Sequence, residues 1–592
     1  MQTNHMMELF SEFTNMMQAV VQGQTSHQTS GGPPPNSTPN PVNTMLPAPE
    51  PDGNPIPTPA TVGGPPPVMN PMPFPMGAGL FNGHVTSELY NLAPTNLTLK
   101  RFLVNWGGLG LGGRTDLKVP VAPKGMGVHR MFATDVEEVK YDDLHGDDHD
   151  IQGINWALMG ITRREARTHR EKMYKNYCMN HSDAWKPLPS QVMPQNTETY
   201  FRFKKFKLRK MGYMAHFQLR NLLAAPSRSR ILYAEKRGVV RQYNSVTGKT
   251  SVALRFPSNT RTVITTIATG EGLVVAGGLE GEYCTSKIEP IYGGGEVFDK
   301  NASRGFKHLR SGISNHIQVY GQRNGGSPVA ALASNDSHLR LMDLTTQKVV
   351  SDVAFAFPVN CTAISPDRRL RVVVGDNALA YIVAAEHERS PLLPAGAYTT
   401  PDALQTLGGH KDFGFACAWA DDGYTLATGF QDRAIKIWDA RKTCDVSGIW
   451  TPIATLRTTM AGVRSLHFSP AGSGKRVLVA AEEADVINII DAQTFQKRQA
   501  FDVFSEVAGV SFTDNGQDLF ALCTDPDRGG LLHLQRNGIM SNAVSFDETA
   551  HPTRPGFSSY DWSEPGNSNA RKRRRDMRRR LRTAATVNLE PF

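Results

Sequence analysis

The sequence is poor in cysteine and in long apolar runs. Its 592 residues include six scattered cysteines, and none belongs to a Cys-x-x-Cys pair of the kind found in zinc sites and redox centres. A disulfide framework is therefore not expected. No run of about 18 consecutive apolar residues occurs, and the first residues lack the basic start and apolar core of a signal peptide. We expect an intracellular protein with reduced cysteines and no membrane contact.

Common catalytic motifs are also missing. There is no Walker glycine–lysine loop, no Gly-x-Ser-x-Gly elbow and no His-Glu-x-x-His helix. Residues 108–113 have the glycine spacing of a dinucleotide-binding loop, but Pro120 and Pro123 stand where the phosphate-binding helix would have to follow. The sequence therefore predicts a protein that is not an enzyme and that binds no cofactor or small-molecule substrate.

The positive charge is concentrated near the C-terminus. The formal net charge is +9, and residues 571–582, RKRRRDMRRRLR, account for +8 of it. Dense basic clusters bind import receptors or phosphates. We expect this cluster to direct nuclear localisation; contact with nucleic-acid phosphates and a merely solvated tail are the alternatives. Its basic residues are Arg571, Lys572, Arg573, Arg574, Arg575, Arg578, Arg579, Arg580 and Arg582.

Low-complexity sequence occupies both ends of the chain. Residues 31–80 are dominated by Pro, Gly, Asn and Ser, a composition with too little apolar surface to offset chain entropy. We therefore expect residues 23–130 to be mostly disordered and residues 547–592 to form a flexible tail around the basic cluster. Residues 1–22 place Met and Phe at helical spacing, which predicts either a short amphipathic helix that binds a partner or a weakly helical disordered end.

Residues 131–199 begin with an acidic run, DVEEVKYDDLHGDDHD at 135–150. His145 and His149 with their Asp neighbours suggest a metal site, but such runs are more often solvated or bind basic partners, which is our expectation here.

A charged helix follows the acidic run. Thr162 and Glu165 have the spacing of a capping box, which predicts a helix from there to about Tyr177. Since most of its residues are charged, we expect this helix to be exposed and to flank the main domain.

Residues 409–441, GHKDFGFACAWADDGYTLATGFQDRAIKIWDAR, hold the clearest structural pattern. Three short apolar runs at 415–419, 424–428 and 434–438 are separated by turn sequences. This pattern predicts three consecutive antiparallel strands.

The Gly-His start and the Trp-Asp end of this segment resemble a WD repeat, the unit of a family of β-propellers. The resemblance implies a structural hydrogen-bond network in which Trp438 donates to Thr428, the Thr428 hydroxyl donates to His410, and His410 donates to Asp432. We interpret the His–Asp pair as structural rather than catalytic, because buried polar groups must be paired.

One such repeat requires others, because a single blade cannot cover its own apolar faces. Third-strand endings recur at Asn244, Asp343, Asp439 and Asp491, which are 99, 96 and 52 residues apart. These spacings correspond to two blades, two blades and one blade. Further third strands are expected near 281–288, 378–384 and 531–535.

The chain is therefore predicted to be all-β, with a seven-bladed WD-repeat β-propeller at residues 200–546. A propeller must close its ring. The alternating run YFRFKKFKL at 200–208 is favoured as the closing strand over residues 539–546.

A second resemblance covers residues 150–546. The IQGI-W start at 151–156, the ITR-containing helix and HFQLRNLL at 216–223 look like an uncharacterised WD-repeat family of fungi and plants. This resemblance implies the fold and no particular activity.

The resulting functional expectation is a nuclear scaffold that binds other proteins through the propeller face and loops. One alternative is a substrate receptor of a cullin-based ubiquitin ligase, since Trp-Asp-x-Arg at 438–441 would place Arg441 on the ligase adaptor. Another alternative is an RNA-associated propeller whose basic tail supplies affinity.

Overall fold

The structure is a computed structural model, and it describes residues 97–109, 122–174, 190–208, 218–257, 262–289, 304–308, 312–385 and 401–538 together with Met214, His216 and Thr260. The predicted helix at 1–22, the Pro-rich stretch at 31–80 and the basic cluster at 571–582 lie outside the described residues.

Antiparallel strands dominate the described chain. In chain order they are β1 (Glu138–Lys140), β2 (Gln195–Asn196), β3 (Phe201–Leu208), β4 (Leu223–Ser227), β5 (Arg230–Glu235), β6 (Val239–Tyr243), β7 (Thr250–Arg255), β8 (Ile264–Gly270), β9 (Leu273–Gly278), β10 (Glu282–Lys287), β11 (Arg304–His308), β12 (Ser314–Gly321), β13 (Pro328–Ser334), β14 (His338–Asp343), β15 (Lys348–Ala354), β16 (Val359–Ile364), β17 (Leu370–Gly375), β18 (Ala380–Ala384), β19 (Gln405–Leu407), β20 (Gly414–Trp419), β21 (Thr425–Phe430), β22 (Ala434–Asp439), β23 (Ala454–Arg457), β24 (Val463–Phe468), β25 (Val477–Glu482), β26 (Ala484–Asp491), β27 (Lys497–Phe512), β28 (Asp518–Cys523) and β29 (Gly530–Arg536).

These strands form seven four-stranded blades. Blades 1 to 5 are separate sheets of four consecutive strands, from β4–β7 to β20–β23. Blade 6 contains β24, β25, β26 and the first part of β27, and blade 7 contains the rest of β27 with β28, β29 and β3. The first strand of each blade contacts the first strands of its two neighbours, which closes the ring. The predicted all-β, seven-bladed propeller is confirmed.

The blades are held together by burial on both faces. In blade 5 every residue of β20 and β21 is buried, because neighbouring blades cover both sides of the sheet. This explains why these strands read as continuous apolar runs rather than alternating ones. The core of the molecule therefore lies between the blades.

A β-bulge recurs near the start of the innermost strand in blades 2 to 7. In three blades the bulged residue donates a side-chain hydrogen bond to a carbonyl of the next blade. Thr265 donates to the Ser314 carbonyl at 2.6 Å, Asn315 to the Val359 carbonyl at 2.9 Å, and Asn360 to the Gly414 carbonyl at 3.1 Å. In these three blades the bulge thus aims one polar side chain at the next blade around the ring.

The ring closes where β3 pairs with β29, so that an N-terminal strand completes blade 7. This is the closure expected from the alternating run at 200–208; the other candidate, residues 539–546, lies outside the described residues. Just before β3, the chain runs along the outer edges of two other blades. Val192 pairs with Leu456 of blade 5, and β2 pairs with β27 in blade 6.

An N-terminal cap precedes the propeller strands. It contains the helices α1 (Leu99–Leu109), α2 (Gly125–Ala133) and α3 (Arg163–Met173), the strand β1, and a 3-10 turn at Tyr141–Asp143. Its apolar side chains form one core with Phe504 of the propeller. No helix in the described part of the chain is long and apolar enough to cross a membrane.

The cap corrects two expectations from the sequence and adds detail to a third. Within the range 23–130, predicted to be mostly disordered, the structure describes residues 97–109 and 122–130, which include α1 and most of α2. The acidic run at 135–150 is folded, and its last residue, Asp150, is fully buried. The charged helix begins with the predicted Thr162–Glu165 capping box, but it ends at Met173 and buries one face, so the prediction of an exposed helix was wrong.

Candidate functional site: the WD blade and the capped face

Blade 5 brings its four predicted network residues together. Trp438 donates its indole N–H to the Thr428 hydroxyl oxygen at 3.0 Å, and that oxygen lies 2.9 Å from His410 Nε2. On the other side of the ring, His410 Nδ1 lies 3.1 Å from Asp432. One chain of hydrogen bonds therefore joins the loop before the blade to β21, to β22 and to the turn between these two strands.

His410 is neutral in this network. Burial lowers its pKa below the usual value, and its ring stacks on Phe430 with 3.7 Å between centroids. The hydrogen-bond pattern assigns the proton to Nδ1, which donates to Asp432, while Nε2 accepts from Thr428. Every polar atom of the imidazole is satisfied within the blade, so the pair holds the blade in shape.

Asp432 also fixes the backbone around it. One carboxylate oxygen accepts from the Lys411 N–H at 2.9 Å, and the other accepts from the Ala434 N–H at 3.0 Å. Asp432 thus ties the loop entering blade 5 to the turn between its second and third strands.

The four third-strand endings share one geometry. Asn244 accepts from the Val246 N–H at 2.9 Å, and Asp343, Asp439 and Asp491 each accept in the same way from the backbone N–H two residues further on. Asx turns of this kind begin the connection to the outer strand. The repeated acidic or Asn position is therefore a turn former at the same place in four blades.

The other blades replace the WD network with different residues. In blade 6, buried Glu482 accepts from the backbone N–H groups of Thr459, Met460 and Ala461, each at 2.7 Å. In blade 7, His533 lies 2.7 Å from Asp518. Glu482 pairs the backbone of the loop that enters blade 6, whereas His533 and Asp518 join β29 to β28. Neither arrangement follows the WD pattern, which describes blade 5 in full.

The two ends of the propeller carry different loops. We define the upper face as the end that carries the turns between second and third strands, and the lower face as the opposite end. In blades 2 to 7 a backbone N–H of the upper-face turn donates to the loop that precedes the inner strand, as Asn335 does to the Ile313 carbonyl at 2.9 Å. The upper-face loops are thereby fixed relative to one another.

Arg441 lies on the lower face. Its guanidinium donates to Asp439 at 2.6 and 2.9 Å and stacks on Tyr424, with 3.9 Å between the guanidinium carbon and the ring centroid. Its side chain is still 67% exposed. Arg441 is therefore held in one orientation while its outer surface is accessible.

Three arginines attach the cap to the upper face of blades 6 and 7. Arg163, Arg167 and Arg170 lie one helical turn apart along α3, on its buried face. Arg163 pairs with Asp150 at 2.8 Å and with Asp502 at 2.9 Å.

The other two arginines of α3 share Asp485. Arg167 donates to Asp485 at 2.9 Å and to Asp502 at 2.7 Å, and Arg170 also donates to Asp485. The guanidinium groups of Arg163 and Arg167 lie over the ring of Phe504, 4.9 and 4.4 Å from its centroid. Three buried cations thus meet three buried carboxylates around one aromatic ring. Removing one of these groups would leave an opposite charge buried without its partner, which is strongly destabilising.

Further contacts anchor the cap to blade 7. The Leu99 N–H donates to Asp525 at 2.8 Å, and Arg528 donates to the Met131 carbonyl at 2.6 Å. Gln152 bridges the two units, because its amide donates to the Arg528 carbonyl and accepts from the Phe504 N–H. These contacts all place the cap on the upper-face side of blades 6 and 7.

No metal centre emerges from the described ranges, which contain no group of three or more His, Cys, Asp or Glu side chains able to hold an ion. In the acidic run, His145 is exposed and Asp150 is committed to Arg163 and to the indole of Trp156. The run therefore builds the cap.

Comparison with protein families identifies the blade. Residues 402–439 match the family described as WD domain, G-beta repeat. The matched range contains β19, the outer strand of blade 4, and the first three strands of blade 5, including all four residues of the hydrogen-bond network.

Two curated proteins of Schizosaccharomyces pombe are similar to the chain. The first is the uncharacterized protein C4G3.03, 22% identical over 261 residues, which are 43% of this chain and 67% of that protein. The second is the WD repeat-containing protein slp1, 24% identical over 156 residues, which are 26% of this chain and 30% of that protein.

Among solved structures, a chain in the crystal structure of the mitotic checkpoint complex aligns with a TM-score of 0.42 and 15% identity, over 59% of this chain and 95% of that chain.

Proposed function

We propose that this chain, a seven-bladed β-propeller containing a WD repeat, is a non-enzymatic nuclear scaffold that assembles a multiprotein complex. The supporting observation is the closed network of blade 5. His410 and Asp432, the pair that most resembles acid–base machinery, have side chains 0% and 2% exposed and are used to hold the blade. What such a blade offers to other molecules is its loops.

The upper face is the surface we assign to partners. Its loops are fixed to one another by backbone hydrogen bonds, so a partner that binds there loses little loop entropy. The cap occupies blades 6 and 7 of this face, which directs the proposal to blades 1 to 5. Glu280 in blade 2 and Asn335 in blade 3 lie at exposed upper-face turns in that region.

The nuclear part of the proposal depends on the basic cluster at 571–582, which import receptors would recognise by its charge. The same cluster would bind nucleic-acid phosphates if the RNA-associated alternative is correct, and that binding would weaken steeply with salt.

A second candidate function, substrate receptor of a cullin-based ubiquitin ligase, is favoured by Arg441 alone. The guanidinium is pre-positioned by Asp439 and Tyr424 on the lower face, at a distance from the assigned partner surface. The two candidate functions are compatible, because partners would bind the upper face and a ligase adaptor would bind the lower face.

Affinity purification of the tagged full chain from nuclear extract, with and without nuclease, tests the proposal. A stable set of proteins that survives nuclease supports the scaffold, and a cullin adaptor in that set supports the receptor. Partners that all disappear after nuclease would contradict the scaffold and support the nucleic-acid alternative.

A further inference from the structure

We propose that Cys361 and Cys417 are a peroxide-sensitive thiol pair that oxidises to a disulfide between the inner strands of blades 4 and 5. Cys361 lies on β16 and Cys417 on β20, 56 residues apart in sequence, and the two sulfur atoms are 3.7 Å apart. Both side chains point into the space between adjacent blades, where they contact each other in the buried core. For a bond to form the sulfurs must approach to about 2.0 Å, and both already lie in the same space between the two sheets.

A buried cation lies next to the pair. Arg371 is fully buried, and its guanidinium donates to Thr362 at 3.0 Å, to Gln318 at 3.2 Å and to Tyr320 at 2.9 Å. All three acceptors are neutral. Within the described ranges Arg371 makes no ion pair with a carboxylate, and its Nε is buried without a hydrogen-bond partner. A buried charge in this position favours a neighbouring anion.

The thiol pair is the group that can supply this anion. The Cys417 S–H donates to Cys361, and this hydrogen bond, supported by His316, lowers the pKa of Cys361 below its usual value. Burial raises the pKa of Cys417, so Cys361 is the thiol of the pair that loses its proton more readily. Arg371 lies on the Cys417 side of the pair, where it interacts favourably with negative charge on Cys417.

The other described cysteines have no such surroundings. Cys284 and Cys523 are buried, and burial raises the pKa of the Cys284 thiol to about 11 and that of Cys523 further still. Cys444 is exposed on the lower-face loop of blade 5. Among the buried cysteines of the described ranges, Cys361 is therefore the one whose pKa is lowered.

The reaction with hydrogen peroxide proceeds in two steps. The Cys361 thiolate attacks one peroxide oxygen, the O–O bond breaks, and the departing hydroxide takes up a proton to become water. The sulfur of Cys417 then attacks the resulting sulfenic acid, the S–S bond forms, and the S–O bond breaks as the hydroxyl leaves with the Cys417 proton as a second water. The two sulfurs lose two electrons, and the peroxide gains them.

To test the proposal, the reduced, folded full chain is treated with hydrogen peroxide, and the remaining thiols are then blocked under denaturing conditions. Disulfide-linked peptides are mapped by mass spectrometry without reductant. We expect a Cys361–Cys417 link in most molecules, and the same link in the Cys444→Ser variant. In Cys417→Ala, which lacks the second thiol of the pair, we expect no link at Cys361. Cys284→Ala, which removes a buried cysteine outside the pair, is expected to leave the link intact.

The exposed thiol of Cys444 serves as an internal dose control. If Cys361 and Cys417 remain free thiols at a peroxide dose that oxidises Cys444, the proposal is overturned. It is also overturned if the link forms only when peroxide is added in denaturant, because the folded geometry would then play no part. Since the wild-type measurement decides the matter, the conclusion does not depend on whether Cys417→Ala folds.

Discussion

The guanidinium of Arg167 lies between two carboxylates of the propeller, donating to Asp485 at 2.9 Å and to Asp502 at 2.7 Å. Arg167 belongs to the cap, whereas both aspartates belong to blade 6 and are more than 300 residues away in sequence. Each carboxylate also pairs with another arginine of α3. The cap is therefore held on the propeller by ion pairs in which each aspartate binds two arginines, in addition to the chain connection between cap and propeller.

Asp485→Ala should strongly destabilise the junction between cap and propeller. The substitution leaves Arg167 and Arg170 buried with one fewer carboxylate, a change that costs about 3–5 kcal/mol. Chemical denaturation followed by limited proteolysis of the cap measures the loss. Lys172→Ala on the exposed side of α3 is the matched control and should change the unfolding free energy little; equal stability of the two variants would contradict the account.

Asp432→Ala should destabilise blade 5. It removes the acceptor of His410 and of two backbone N–H groups, and a buried donor left without a partner costs about 1–3 kcal/mol each. A lower melting temperature checks this, with exposed Asp402→Ala as control. A melting temperature identical to the control would show that the network does not support the blade.

Stability should fall on acidification because of His467. Burial lowers the pKa of His467 to about 4, below the value of about 6.5 in an unfolded chain. Between these values the unfolded state binds a proton that the folded state does not, so stability rises with pH across this window, by up to about 1.4 kcal/mol per pH unit.

Replacing this residue isolates its contribution. His467→Gln should flatten the pH dependence of the unfolding free energy between pH 6.5 and 4, and exposed His129→Gln should leave it unchanged. An unaltered slope in His467→Gln would mean that this histidine is not what titrates.

Arg441→Asp decides whether the lower face binds a ligase adaptor. The substitution places two acidic side chains side by side at Asp439 and reverses the exposed charge, so any adaptor bound through Arg441 should be lost by at least tenfold in co-purification. The melting temperature should change little, because the guanidinium is mostly exposed. Undiminished recovery of adaptor from this variant would exclude Arg441 as the contact.

Deletion of residues 571–582 should shift the protein from nucleus to cytoplasm, since these residues carry almost all of the net positive charge. Fluorescence microscopy of the tagged chain measures the ratio. A variant in which the nine basic residues are replaced by Gln keeps the length constant and should behave like the deletion. Retention of either variant in the nucleus would refute the role of the cluster in import.

Much of the propeller could be predicted because its signals are local. The four residues of the blade 5 network fall within 29 positions of one another, and the turn formers at Asn244, Asp343, Asp439 and Asp491 repeat at blade spacing. The alternating run that became β3 was recognisable because one face of an outer strand is less covered than the other.

The cap could not be predicted in the same way. Arg163, Arg167 and Arg170 read as a solvated face, because arginine is seldom buried without a partner. Asp150, the partner of Arg163 within the cap, is local, but Asp485 and Asp502 lie in β26 and β27, more than 300 residues later, and nothing local to α3 identifies them. The spacing of the three arginines on one helical face, with Ala166 between them, was the one available signal.

The central claim, that partners bind the upper face of the propeller, is tested most directly by two variants that change the charge at exposed positions. Glu280→Lys with Asn335→Lys alters exposed upper-face turns of blades 2 and 3, and Lys348→Glu alters an exposed lower-face position of blade 3. Quantitative mass spectrometry of nuclease-treated purifications compares their partners. We predict that the upper-face variant loses at least one nuclease-resistant partner severalfold while Lys348→Glu retains the wild-type set. Full retention by the upper-face variant, with loss in Lys348→Glu, would contradict the claim.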